Sequence, residues 1–122
     1  MNPLAKLTDT FNQIFQISGA TPEQAQQLAT GYLDQTVKRS ALRLVEKYPT
    51  PGSDQIVTSV QNNLPVEELI GSLSANFTDE QLAFGFAQGF TEIFGPWFIS
   101  TSPDLSEEQK NKIQVLLKDY QK

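Results

Sequence analysis

At 122 residues, 39% hydrophobic and 19% charged, the chain has the composition of one globular domain whose core can close without a disulfide or a metal. Fourteen acidic residues against nine basic ones leave a net charge of −5, which repels phosphate backbones and argues against nucleic acid as a partner. There is no Cys and no His, which removes the thiol nucleophile, the thiolate metal site, the commonest general base and the commonest zinc ligand; no cofactor or metal site is expected, and binding is favoured over catalysis.

The opening "MNPLAKLTDT" lacks the basic start and apolar run of a signal peptide, and no stretch is apolar for long enough to span a membrane. The expectation is a cytoplasmic chain, with an exported protein whose signal has been removed (and a non-native Met1) as the alternative. Leu4, Leu7, Phe11, Ile14 and Phe15 form a helical stripe, and Gly19 follows where a helix cap is needed. "TPEQ" at Thr21–Gln24 is a capping box with Pro22 at the first helical position. The stripe it launches runs through Ala25, Leu28, Ala29, Tyr32, Leu33, Val37, Ala41, Leu44, Val45 and Tyr48, a long helix over about 22–48 that "PTPG" stops at Pro49–Gly52. Gly31 is its internal weak point. Arg39, Arg43 and Lys47 recur at four-residue spacing on the opposite face, next to Lys38. They read as a solvated face suited to a helix C-terminus, or as a basic docking stripe for an acidic partner or for the chain's own acidic middle.

Residues 48–105 carry seven acidic side chains and no Lys or Arg. Such a region is a solvated acidic surface or a bias towards a basic partner. Ser53 or Asp54 can cap a short helix with Ile56, Val57 and Val60, which "NNLP" ends at Asn62–Pro65. Val66, Leu69, Ile70, Leu73 and Phe77 form the next stripe, with Pro65 in its first turn. "TDEQ" at Thr78–Gln81 and "SEEQ" at Ser106–Gln109 are two further capping boxes, the second launching Ile113, Leu116, Leu117 and Tyr120. The pairs Glu67/Glu68, Asp79/Glu80 and Glu107/Glu108 sit in first helical turns; adjacent residues do not share a face, so they suit the helix dipole and not an acid/base dyad. "NFT" at Asn76–Thr78 is a glycosylation sequon, weakened because Thr78 already reads as a cap.

"FGFAQGFTEIFGPWF" at Phe84–Phe98 holds five of the eight Phe residues and the sole Trp. On a helical wheel Phe86, Phe90, Ile93, Phe94, Trp97 and Phe98 share one broad apolar arc, wider than the roughly 100° of a surface helix. Phe84 falls outside that arc, beside Thr91, and Gln88 and Glu92 lie on the far side. Gly95–Pro96 should end the helix near Phe94 and leave Trp97, Phe98 and Ile99 in an irregular segment. Gly85 and Gly89, four apart, suggest close approach of another helix, for which Gly71 and Ala75 on the preceding helix offer a matching pair. "FTDEQL" with its aromatic-rich sequel resembles, over about a dozen residues, a bacterial domain family of unknown function with a similar "FTEEEL" phrase; much of that overlap is cap chemistry, and nothing is carried over from it.

The expected architecture is all-α: one compact domain of five to six helices, with one long helix (about 22–48), a central Phe-rich helix (about 79–94) and a candidate hinge at 49–53. The expected function is a non-catalytic protein–protein interaction module, paired with a protein partner or with itself. Phe84, Phe90, Phe94, Trp97, Phe98 and Ile99 are the candidate contacts. The alternative is a carrier or sensor of an apolar small molecule or lipid, with Gly85 and Gly89 making room for it.

Overall fold

The computed structural model describes residues 3–118, with side chains from Lys6 onward; the Leu4 side chain, Tyr120 and Met1 lie outside the described residues. Six α-helices follow in order: α1 Pro3–Ile17, α2 Pro22–Lys47, α3 Ser53–Gln61, α4 Val66–Asn76, α5 Asp79–Thr101 and α6 Glu107–Leu117, with a short 3-10 turn at Ser102–Asp104 before α6. No strand occurs among the described residues, and none of their helices is long and apolar enough to cross a membrane.

Local chemistry sets most of the helix ends. After α1, Gly19 takes φ 112°, and the Ala20 N–H reaches back to the Phe15 carbonyl at 3.0 Å while the Gly19 N–H bonds Gln16. That is a Schellman cap, which favours a residue without a Cβ. All three boxes close in both directions. Thr21 Oγ1 accepts from the Gln24 N–H and Gln24 Oε1 from the Thr21 N–H, and Thr78/Gln81 and Ser106/Gln109 repeat the pattern. Each satisfies two of the N–H groups that a helix start leaves without intrahelical partners.

Three ends differ from the expectation. Ser53 is the first residue of α3 and Gly52 its cap; the Ser53 hydroxyl is occupied instead by the Thr50 N–H, which tightens the Pro49–Gly52 turn. Pro65 caps α4 from outside. The third is larger: α5 continues through Gly95 and Pro96 to Thr101. Proline inside a helix removes one hydrogen bond and costs roughly 3 kcal/mol. Trp97 stands edge-on to Phe15 with ring centroids 5.2 Å apart, and Phe94 stacks on Phe98 at 5.5 Å. Burying an apolar side chain completely contributes about 1.5–3 kcal/mol, so these half-buried rings offset part of the cost of the proline.

The chain divides into two compact units. The first comprises Met1–Leu33 and Phe94–Lys122, the second Asp34–Ile93, so α2 and α5 each contribute to both. In the first unit α1 packs against α6, and the Gln109 amide, besides capping α6, donates to the Ile17 carbonyl at 2.9 Å. Its buried side chains include Leu7, Phe11, Ile14, Phe15, Ala25, Ala29, Phe94, Leu105 and Ile113. In the second unit α3 packs against α4, and the buried set includes Val37, Ala41, Leu44, Ile56, Leu69, Leu73, Phe77, Leu82, Phe86 and Phe90. The Pro49–Ser53 segment lies within this second unit. Leu28, assigned to the apolar stripe of the long helix, is instead exposed.

Candidate interaction surface

In the second unit α2 and α5 run antiparallel. Phe84 faces Tyr48, Gly85 faces Leu44, and Gly89 faces Ser40 and Thr36, so the partners step backwards along α2 as α5 advances. The two glycines set how close this approach can be. A Cβ at Gly89 would meet Ser40 Oγ, the Thr36 carbonyl oxygen at 2.9 Å and the Ser40 nitrogen at 3.0 Å; one at Gly85 would meet the Leu44 side chain at 2.5–2.9 Å. The close approach expected of these glycines is present, but the neighbour is α2. Gly71 has open space where its Cβ would lie, and Ala75 is exposed, because α4 turns Leu69 and Leu73 inward and the small pair sits on another face. Room beside Gly85 and Gly89 is therefore filled by Leu44, Ser40 and Thr36 and is not space for an apolar ligand.

The basic residues of α2 meet the acidic middle of the chain. Arg43 donates from Nε and Nη2 to the two oxygens of Glu92, each at 2.7 Å, and from Nη1 to Glu46 at 2.6 Å. Arg39 stands 3.9 Å from Glu92. The hydrogen bonds from Arg43 hold the Glu92 carboxyl below the usual range, against the opposing effect of partial desolvation. Two of the three members of the basic stripe are thus turned towards an internal carboxylate.

Lys47, the third, is different. Its Nζ lies 5.0 Å from the centroid of the Phe84 ring, and Tyr48 meets the same ring edge-on at 6.0 Å. Phe84 remains 39% exposed. An open cavity of about 290 Å³ is lined by Lys47 together with Arg43, Glu46 and Gln88. This lining is charged and polar, suited to a polar side chain and not to a lipid tail.

In the first unit the end of α5 carries the other candidates. Trp97 packs on Phe15 and Phe94 and is half-buried, as is Phe98; Ile99 points outward at 76% exposure. Phe90 and Phe94, both proposed as contacts from sequence, are 1% and 5% exposed and belong to the core. They cannot touch a partner from the surface, because the apolar arc of α5 is turned inward along them.

Sequence reasoning left out Tyr48, treated as a member of the apolar stripe, and Thr36 and Ser40, the surface that receives Gly89. Thr36 and Ser40 are small and four apart on α2, the same spacing as Gly85 and Gly89, and that match was available as a signal. Among the described residues no group of three or more acidic side chains could hold a metal ion. Compared with known protein families, with curated proteins and with solved structures, the chain matches none.

Proposed function

We propose that the protein is a non-catalytic protein–protein interaction module that binds through the exposed apolar side chains of α5. The observation that carries this reading is Phe84, left 39% exposed by a helix that buries Phe86, Phe90 and Phe94. Aromatic rings of this kind are the usual anchors of protein interfaces. The Tyr48 edge fixes one side of the ring, so its ordering is already in place before a partner arrives, which favours affinity. Ile99, on the part of α5 that belongs to the first unit, is a second and separate contact.

The test is a photo-crosslinking phenylalanine analogue placed at Phe84, at Ile99 and at the exposed control Gln13, irradiated in living cells. A discrete protein adduct at position 84 and none at position 13 is the expected outcome. Equal labelling at 84 and 13 would overturn the reading. The competing reading, a carrier of an apolar molecule, predicts added mass of lipid size by native mass spectrometry on protein isolated without delipidation.

A further inference from the structure

We propose that α2 and α5 carry a paired helical hinge: α2 bends in the turn 31–35 and α5 in the turn 92–96, so that the two units move as separate bodies.

The chain passes between the units twice, and both crossings fall inside helices. The first lies between Leu33 and Asp34 in α2, the second between Ile93 and Phe94 in α5. The Pro49–Gly52 turn lies within the second unit. A stiff helix through each crossing would hold the units at one setting. Each of these two helices is instead weakened within one turn of its crossing, by Gly31 in α2 and by Gly95 and Pro96 in α5.

The weakening falls on the hydrogen bonds that span the crossings. In an α-helix the N–H of one residue bonds the carbonyl four residues earlier. Pro96 has no N–H for the Glu92 carbonyl, so α5 lacks one of the bonds that bridge Ile93 and Phe94. Its ring also crowds that carbonyl, and proline is a main site of sharp helix kinks. In α2 the matching turn runs from Gly31 to Gln35, across Leu33 and Asp34.

Packing gives no reason for these glycines. A Cβ at Gly31 or at Gly95 would have no neighbour from the rest of the described residues within 4 Å. Gly85 and Gly89 differ, because Leu44, Ser40 and Thr36 leave them no room for a Cβ. A helical glycine without a packing role leaves the backbone easier to bend.

The helices are held on either side of both turns. Tyr32 lies against Phe11 and Phe15 in the first unit, with ring centroids 5.9 and 5.3 Å apart, and Val37 is buried in the second. Arg43 grips Glu92 through two hydrogen bonds of 2.7 Å in the second unit, and Trp97 meets Phe15 in the first. Bending is thereby confined to the turns between these anchors. Phe84 and Ile99 stand on α5 before and after its turn, so bending changes the separation of the two exposed contacts. That consequence rests on the interaction-module reading; the hinge does not.

The experiment is double electron–electron resonance on the full chain with pairs of spin-labelled cysteines, which a sequence without Cys accepts cleanly. Gln13→Cys with Gln55→Cys places one label in each unit, at exposed positions. Gln13→Cys with Gln114→Cys, and Gln55→Cys with Ser74→Cys, place both labels within one unit, again at exposed positions. The distance distribution between the units should be at least about twice as wide as either distribution within a unit. Adding Gly31→Ala and Pro96→Ala together should narrow it to the within-unit width, and each alone part of the way. Both sites are exposed, and thermal melting no lower than that of the wild type checks the fold. A wild-type distribution between the units as narrow as those within them would overturn the hinge. A broad one that both substitutions leave unchanged would overturn its assignment to these two turns. Either result would leave the crosslinking test at position 84 untouched, so the two readings fail separately.

Discussion

Glu92 receives Arg43 as a two-pronged fork, with both hydrogen bonds at 2.7 Å, across the antiparallel contact of α2 and α5 in the second unit. The pair is about 27–31% exposed, so it is screened less than a surface bridge and desolvated less than a core one. Parallel donation of two N–H groups fixes orientation as well as distance, and a single-point cation such as Lys would not reproduce it.

Glu92→Gln should lower the melting temperature by a few degrees at pH 7, since the amide oxygen can accept only part of the fork. The pH dependence has a definite sign. The carboxyl is held below its usual range in the folded chain, so its contribution is complete above the ordinary glutamate value near 4.3 and is lost as pH falls through the folded one. The difference between wild type and Glu92→Gln should therefore be constant from pH 8 to about pH 5 and shrink below about pH 4. Thermal melts across that range check it; a difference that grew on acidification would contradict the ion pair.

Gly89→Ala and Gly31→Ala should move stability in opposite directions, although both replace a glycine inside a helix. A Cβ at Gly89 meets backbone atoms of Thr36 and Ser40 at 2.9 and 3.0 Å, which can yield only if α2 shifts. Overpacking of that kind costs about 1–3 kcal/mol, more than the roughly 1 kcal/mol gained in helix propensity. At Gly31 an added Cβ would have no neighbour from the rest of the described residues within 4 Å, so the propensity gain is not offset. Urea unfolding should show a lower midpoint for the first variant and a higher one for the second.

Thr36→Val should leave the protein as stable as before or raise its stability by up to about 1 kcal/mol. The Thr36 hydroxyl is buried without a hydrogen-bond partner among the described residues, while its carbonyl oxygen takes the Ser40 hydroxyl at 2.6 Å. Valine keeps the branched shape and removes the unpaired group. A fall of more than about 1 kcal/mol in chemical denaturation would mean that the hydroxyl is bonded.

Trp97→Ala and Ile99→Ser should separate core from surface within two residues. Trp97 contacts Phe15 and Phe94, and its truncation should destabilise the chain by about 2–3 kcal/mol, below the full-burial range because the ring is half-exposed. Ile99 is 76% exposed and its substitution should stay within about 0.5 kcal/mol. Trp97 fluorescence in the Ile99→Ser variant should match the wild type; a red shift would show that Ile99 supports the packing of α5.

The sequence by itself determined the helices. Three Ser/Thr-x-Glu-Gln boxes, a glycine cap after α1 and the three-to-four-residue recurrence of apolar side chains are local devices, and each acts through groups within one or two turns of the chain. The wheel set Phe84 off the apolar arc of α5, and the structure leaves it exposed. Tertiary structure alone decided which helix meets the glycine pair, since Gly71 and Ala75 have the same spacing as Thr36 and Ser40 and only packing chooses between them. It also decided that α5 passes through Gly95–Pro96. A local rule counts the lost hydrogen bond of proline, whereas packing that opposes this cost comes from Phe15, far away in the chain, against Trp97.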